Sequence, residues 1–288
     1  MPEAAGQPLE LRLPFGRIAA LRFGTPGGTP VLALHGWLDN AASFIPLAAH
    51  LDPALDIVAV DLPGHGLSDW LPAGQPYLIA HAVPQVLAIA DALGWDRFDL
   101  LGHSMGGAIA CLVAATAPER VAHLTSIEAL GPLAAQPGES LAQLRRFVAA
   151  SRKVPRTRRV FGARESMISL RMAHNGLDDT SARLLVERGS HAVDGGWQWS
   201  SDPALTVPTA VYLAESQVCE LLAGITCPVT VVIADNGLLQ TPLRPTRLAC
   251  VPQAHVVDLP GNHHLHMMDA VLVASAIKMN GFSKAPVG

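Results

Sequence analysis

The sequence predicts an α/β fold, a mostly parallel eight-stranded sheet flanked by helices and carrying an inserted helical cap. Three observations predict it. Short apolar runs alternate with segments of helical apolar spacing along most of the chain. Two of the runs, Val31-Leu32-Ala33-Leu34 and Ile57-Val58-Ala59-Val60, are apolar without interruption, the pattern of strands buried on both faces. The stretch from Gly131 to about Tyr212 is helix-rich, more charged and too long for one crossover, so it reads as a subdomain inserted into the sheet.

The elements follow in order. Leu9 to Leu13 and Ile18 to Phe23 alternate apolar with polar residues across Pro14-Phe15-Gly16, which predicts an antiparallel hairpin. Thr25-Pro26-Gly27-Gly28-Thr29 then punctuates, and the two buried strands are separated by a helix expected over Ala41 to Leu51. Tyr77 to Trp95 is strongly apolar but carries His81, Pro84, Gln85 and Asp91, so it reads as an amphipathic surface helix of a soluble core and not as a bilayer span. Phe98 to Leu101 is a short strand, Gly107 to Ala117 an Ala-rich helix stopped by Pro118, and Ala122 to Ile127 the next strand. After the insertion come strands at Val229 to Ile233 and His255 to Leu259. This divides the chain into a core of residues 1–130 and 213–288 and a helical cap, or lid, of residues 131–212.

Composition narrows the function classes. Half of the 288 residues are hydrophobic, 15% are charged and the net charge is -4, so a substantial core is available and nothing favours a polyanionic partner such as nucleic acid. No basic segment followed by an apolar one opens Met1 to Glu10, so no secretory signal is expected. Cys111, Cys219, Cys227 and Cys250 form no C-x-x-C pair and lie in apolar contexts, which reads as four buried, reduced thiols in a cytoplasmic protein. The basic runs Arg145-Arg146, Arg152-Lys153 and Arg156-Thr157-Arg158-Arg159 could hold an anionic substrate group, but a solvated helical face is the commoner meaning.

The chemistry centres on Gly102-His103-Ser104-Met105-Gly106, a G-x-S-x-G elbow placed where a strand hands over to a helix. Small residues there let strand and helix close around the turn, so that the Ser104 hydroxyl stands clear of the sheet. A serine needs a base within hydrogen-bond reach and a third group to orient that base. The base should follow a late strand, and Pro260-Gly261-Asn262-His263-His264-Leu265-His266 supplies it. His263 comes first after the expected Gly-Asn turn, whereas His264 and His266 are expected to point away, His266 as a packed helix residue. Metal ligation by these histidines is disfavoured because no acidic pair accompanies them.

The oxyanion hole needs two backbone donors. Met105 N–H is one, and Trp37 N–H, in the loop His35-Gly36-Trp37 after the first buried strand, is the other. For the orienting acid two carboxylates remain open. Asp235 follows Val229 to Ile233 but arrives early, with Asn236-Gly237-Leu238 in the usual place; Glu128 stands at the end of Ala122 to Ile127 and is favoured on geometry. His35, His103 and Trp197 are expected to border the substrate, and Trp70, Tyr77, Trp199 and the segment Met167 to Met172 to add apolar walls.

These residues together resemble an α/β-hydrolase, and most closely the serine hydrolase-like family. The resemblance rests on the block from His35 to Phe44, on Gly64-His65-Gly66-Leu67-Ser68, on the elbow and on Pro260-Gly261-Asn262-His263, and spans Leu9 to about Ile277. It implies the α/β-hydrolase fold, Ser104 as nucleophile, His263 as base, and Trp37 and Met105 as oxyanion donors; no cofactor or metal is expected. The aspartate of a G-x-x-D loop, usual in the superfamily, is missing; some relatives use a glutamate after the earlier strand, and Ile127-Glu128-Ala129 is similar to that arrangement. The expected activity is cleavage of carboxylic ester or thioester bonds of a small apolar substrate by a monomer or homodimer. A carbon-carbon bond hydrolase, a cofactor-independent oxygenase and a ligand-binding receptor or pseudoenzyme are the alternatives on the same fold.

Overall fold

The computed structural model describes residues 6–136, 138–153, 158–280 and 282. Arg156 and Thr157 of the third basic run, and Met1 to Ala5 of the segment read for a signal, lie outside the described residues.

The hairpin β1 (Gln7–Leu13) and β2 (Gly16–Gly24) leads into β3 (Thr29–Leu34), the one-turn helix α1 (Ile45–Ala48), β4 (Leu55–Val60), α2 (Ile79–Ala92), β5 (Phe98–His103), α3 (Met105–Thr116) and β6 (Val121–Ile127). The intervening stretch holds β7 (Ala134–Ala135), α4 (Ser140–Ser151), α5 (Arg164–Asn175), α6 (Asp179–Gly189), a hairpin β8 (Ser190–Val193) and β9 (Gly196–Trp199), and β10 (Leu213–Ala214). The chain then finishes the sheet with α7 (Glu215–Ala223), β11 (Val229–Asn236), α8 (Arg244–Ala249), β12 (Ala254–Asn262), α9 (Leu265–Met268) and α10 (Ala270–Asn280).

Eight strands form one sheet, as expected, and their order is β1-β2-β4-β3-β5-β6-β11-β12. Only β2 runs against the others: it pairs antiparallel with β1 and β4, and the remaining neighbours are parallel. Strand alternation explains why the central strands are uniformly apolar. Leu32 and Leu34 of β3 pack on one face with Val86 of α2, Ile109 of α3 and Val218 of α7. Val31 and Ala33 pack on the other with Leu47 of α1 and Val273 of α10. A third, smaller core of Phe161, Met167, Ile168, Leu177, Leu185 and Val186 gathers the inserted elements and takes Met267 from α9.

Four expectations need correction. The helix read over Ala41 to Leu51 is a 3-10 turn, Ala41–Phe44, followed by α1, because Pro46 has no N–H to continue the ladder. β11 runs on through Asp235 to Asn236, and β12 through Gly261 to Asn262, so the Gly-Asn pair lies within a strand that pairs Asn262 with Asn236. The insertion carries the β8–β9 hairpin besides its helices. Cys111 and Cys227 are buried free thiols as expected, whereas Cys219 and Cys250 are only half-buried.

Candidate active site

The parallel strands deliver their chemistry at their carboxyl ends. β5 ends at His103 and α3 opens at Met105, leaving Ser104 alone on the turn with φ 53° and ψ -117°. The turn is tight: a β-carbon on Gly106 would lie 1.9 Å from Leu34 O, so no side chain fits there. Ser104 N–H donates to Ile127 O at 2.9 Å, which ties the elbow to β6. Met105 N–H belongs to the first turn of α3, where amides have no partner within the helix. After β3, Asp39 N–H donates to Gly36 O at 3.1 Å and closes the loop that carries Trp37. Among the described residues the only non-glycines at positive φ are Leu38 (60°), in the loop after β3, and Ser104 and Glu128 (57°), which directly follow β5 and β6. Such conformations cost on the order of 1–3 kcal/mol each and persist where packing enforces them.

His263 follows β12 directly and bridges two of these residues. Its Nε2 lies 2.9 Å from Ser104 Oγ and its Nδ1 lies 3.1 Å from Glu128 Oε2. Glu128 is buried, and Ala234 N–H and Leu238 N–H each donate to its carboxylate at 2.7 Å, on Oε1 and Oε2 respectively. An ionised carboxylate only accepts, so Nδ1 carries the proton and Nε2 is left to accept from the serine hydroxyl. This arrangement can move a proton from hydroxyl to imidazole and stabilise the imidazolium that results. Asp235 does not join it: the strand holds its exposed side chain against the neighbouring backbone, where Oδ1 accepts from Gly261 N–H at 3.0 Å.

Beneath His263 lies a buried histidine network that differs from the sequence expectation. His264 and His266 do not point away; both are buried, with their ring centroids 5.1 Å and 4.0 Å from that of His103. His103 is absent from the lining of the cavity that holds Ser104, and its Nε2–H donates to His263 O at 2.8 Å, supporting the backbone of the bridging residue from below. Burial drives the His103 ring well below the ordinary imidazole range, and neighbouring rings add to it. His266 is likewise pushed down to about 3 by burial. His35 is also absent from the cavity: its Nε2 accepts from Leu62 N–H at 3.0 Å, and burial lowers it to about 4.

Asp39 joins this network at one side. Its Oδ2 lies 3.3 Å from His264 Nε2, and Oδ1 pairs with Arg171 of α5. Burial alone would raise its carboxyl, but Arg171, His264 and His103 together hold it well below the usual range. Asp39, His103 and His264 bring three potential ligand atoms within 4.8 Å of one another. Arg171 already neutralises Asp39, so a divalent cation would leave two uncompensated charges in a buried site, and the group is a polar network in charge terms.

Ser104, Met105, Trp37, Glu128 and His263 open on a cavity of about 820 Å³. Its walls include Ile79 and Ala82 of α2, Tyr77, and Leu133, Val207 and Tyr212 of the inserted stretch. Of the expected aromatic walls only Tyr77 is there. Trp197 packs in the insertion's own core, where it pairs with Phe161 and lies 3.7 Å beneath the Arg164 guanidinium, so it does not border the cavity. Trp70 Nε1–H is held by Ser200 O, Trp199 packs against Phe161, and Met167 is buried in the same cluster.

Sequence reasoning missed the residues that hold this geometry. Gly237 and Leu238, read only as occupants of the usual acid position, form the seat of the Glu128 carboxylate. The carboxylate of Asp61, inside the Asp61-Leu62-Pro63-Gly64-His65-Gly66 run, is buried and accepts from Ala41 N–H, Leu67 N–H and Arg188 of α6.

Comparison with known proteins agrees with this architecture. The alpha/beta hydrolase fold family model matches residues 29–270. A serine hydrolase-like protein of Danio rerio is 30% identical over 285 residues, covering 95% of this chain and 87% of that protein. Serine hydrolase-like protein 2 of Homo sapiens is 30% identical over 93% of this chain and 92% of its own length. The crystal structure of a hypothetical protein from Pseudomonas aeruginosa PAO1 superposes with TM-score 0.90 at 36% identity, covering 95% of this chain and 98% of that one. A thioesterase domain from the curacin biosynthetic pathway gives TM-score 0.83 at 28% identity, covering 95% and 99%. The chain belongs to the α/β-hydrolase family and, within it, to the serine hydrolase-like proteins.

Proposed function

We propose that this protein hydrolyses carboxylic ester or thioester bonds of small, largely apolar acyl substrates through an acyl-enzyme on Ser104. The observation that carries the reading is the bridge of His263, 2.9 Å from Ser104 Oγ and 3.1 Å from Glu128 Oε2. Ser104 Oγ adds to the substrate carbonyl carbon while its proton passes to His263 Nε2. The N–H groups of Met105 and Trp37 hold the oxygen that becomes negative. The bond to the leaving oxygen or sulfur then breaks, and His263 returns the proton to it. Water repeats the sequence against the acyl-enzyme, and Glu128 stabilises the imidazolium in both halves. Residues 131–212 act as a cap, supplying the cavity wall of Leu133, Val207 and Tyr212. The likeness to a thioesterase domain supports including thioesters.

A chain-length series of p-nitrophenyl esters and acyl thioesters, assayed with wild type and Ser104→Ala, tests the reading. Saturable turnover by wild type that falls to background in the variant supports it. Equal rates from both proteins, or none from folded wild type across the series, reject it.

A further inference from the structure

Helix α4 is amphipathic in an unusual sense, because its apolar stripe faces outward. Gln143 is its buried residue, with its amide donating to Thr209 O. Leu141, Leu144 and Val148, at i, i+3 and i+7, form one stripe on the opposite side and are 60%, 45% and 49% exposed. Val211, 75% exposed, lines one groove with Leu141 and Leu144, and Leu133, also 75% exposed, directly precedes Ala134 of the same groove. Exposed large aliphatics scattered singly need no explanation, but a contiguous patch of this kind marks a contact surface.

Charge indicates what the surface meets. From Ser140 to Lys153 there are four basic residues, Arg145, Arg146, Arg152 and Lys153, and no acidic one, on a chain whose net charge is -4. At 100° per residue, Arg145 and Arg152 border the apolar stripe directly. An apolar stripe edged by arginines is the pattern of a helix lying in an anionic lipid interface, with guanidinium groups at headgroup level. The patch also leads inward. Leu141 and Leu144 line a groove of about 410 Å³ together with Ala134, Val211 and Tyr212, and those last three also line the cavity that holds Ser104.

We infer that the α4 face docks on an anionic lipid surface and delivers membrane-partitioned esters to the cavity through the shared groove. The delivery rests on the proposed hydrolase reading, whereas the docking does not. The test is therefore co-sedimentation of the full chain, carrying Ser104→Ala, with vesicles of phosphatidylglycerol and phosphatidylcholine and with phosphatidylcholine alone. Binding to the anionic vesicles only, weakened by salt, is expected. Combined Leu141→Ser, Leu144→Ser and Val148→Ser should weaken it by at least about tenfold, and Arg145→Glu with Arg152→Glu by a similar factor. With Ser104 intact, the arginine set, which lines neither the groove nor the cavity, should leave turnover of a water-soluble ester unchanged. No sedimentation, equal binding to both vesicles, or undiminished binding by the variants overturns the inference. A dimer in light scattering that the serine set dissolves overturns it too, by assigning the face to a second copy of the chain.

Discussion

Gly237 faces Glu128 so closely that a β-carbon on the glycine would stand 2.1 Å from Glu128 Oε2. The Glu128 carboxylate, which follows β6, is thus seated by a glycine that follows β11, and the seat includes Leu238 N–H. Gly237→Ala should push the carboxylate off His263 Nδ1. Misplacement by about 1 Å can cost ~10²-fold in rate, so kcat on a soluble ester should fall by about that factor with little change in KM. Unchanged kcat would show that the seat has no part in turnover.

Glu128→Gln and Asp235→Asn separate the two carboxylates that the sequence offers as the orienting acid. Loss of an orienting carboxylate costs about 10⁴-fold in kcat in the serine-protease template, and Glu128→Gln should approach that. It should also lower Tm, because an amide –NH2 in this seat meets a backbone donor at Ala234 or Leu238. Asp235→Asn should stay within about twofold of wild type, since surface substitutions away from special features change little. Steady-state kinetics of the pair, with thermal melts, decide it, and the reverse ranking would contradict the proposed role of Glu128.

Acid stability follows from buried histidines. Burial lowers His35 to about 4 and His65 and His266 to about 3 from an ordinary 6.5, so all three are neutral in the folded chain near neutrality. As pH falls below 6.5 the unfolded chain takes up protons that the folded chain refuses, so stability is present above that value and is lost on descending toward 3–4. Each such group contributes a slope of about 1.4 kcal/mol per pH unit when fully differential. Tm should therefore be level above about pH 7 and drop steeply below about pH 6. A Tm that stays level to about pH 4.5 would contradict the neutral, buried assignment.

The insertion is fastened to the core by buried ion pairs. Arg188 Nε lies 3.0 Å from both Asp61 oxygens, and Asp61 is fully buried. Arg188→Met keeps bulk but strands the carboxylate, and breaking a buried pair from one side costs about 3–5 kcal/mol. Denaturant unfolding should show that loss. A change below about 1 kcal/mol, the scale of an exposed pair, would mean that the pair is effectively solvated.

Much of the fold is legible in the amino-acid sequence. The eight strands and their mostly parallel arrangement follow from apolar runs and alternation, and the elbow serine and the histidine after the last strand are local patterns. The seat of Glu128 is not legible there, because it joins residues from separate strands and depends on β11 continuing past its apolar run through exposed Asp235 and Asn236. The directions of His264 and His266 escape the sequence for a related reason. Both sit in a single turn, and their rings lie inward against His103, which is far away along the chain. Trp197 reads as a cavity wall because aromatic content says nothing about which of two cores a side chain joins; it packs with the insertion's own core. Pro46 is the signal, visible in the sequence, that the helix at Ala41 to Leu51 breaks.

The central claim is that Ser104 is an activated nucleophile, and intact-mass spectrometry after exposure to a fluorophosphonate probe tests it most directly. The account predicts a single adduct on wild type and none on Ser104→Ala. Folded wild type that stays unmodified, or a variant that is modified equally, would contradict it.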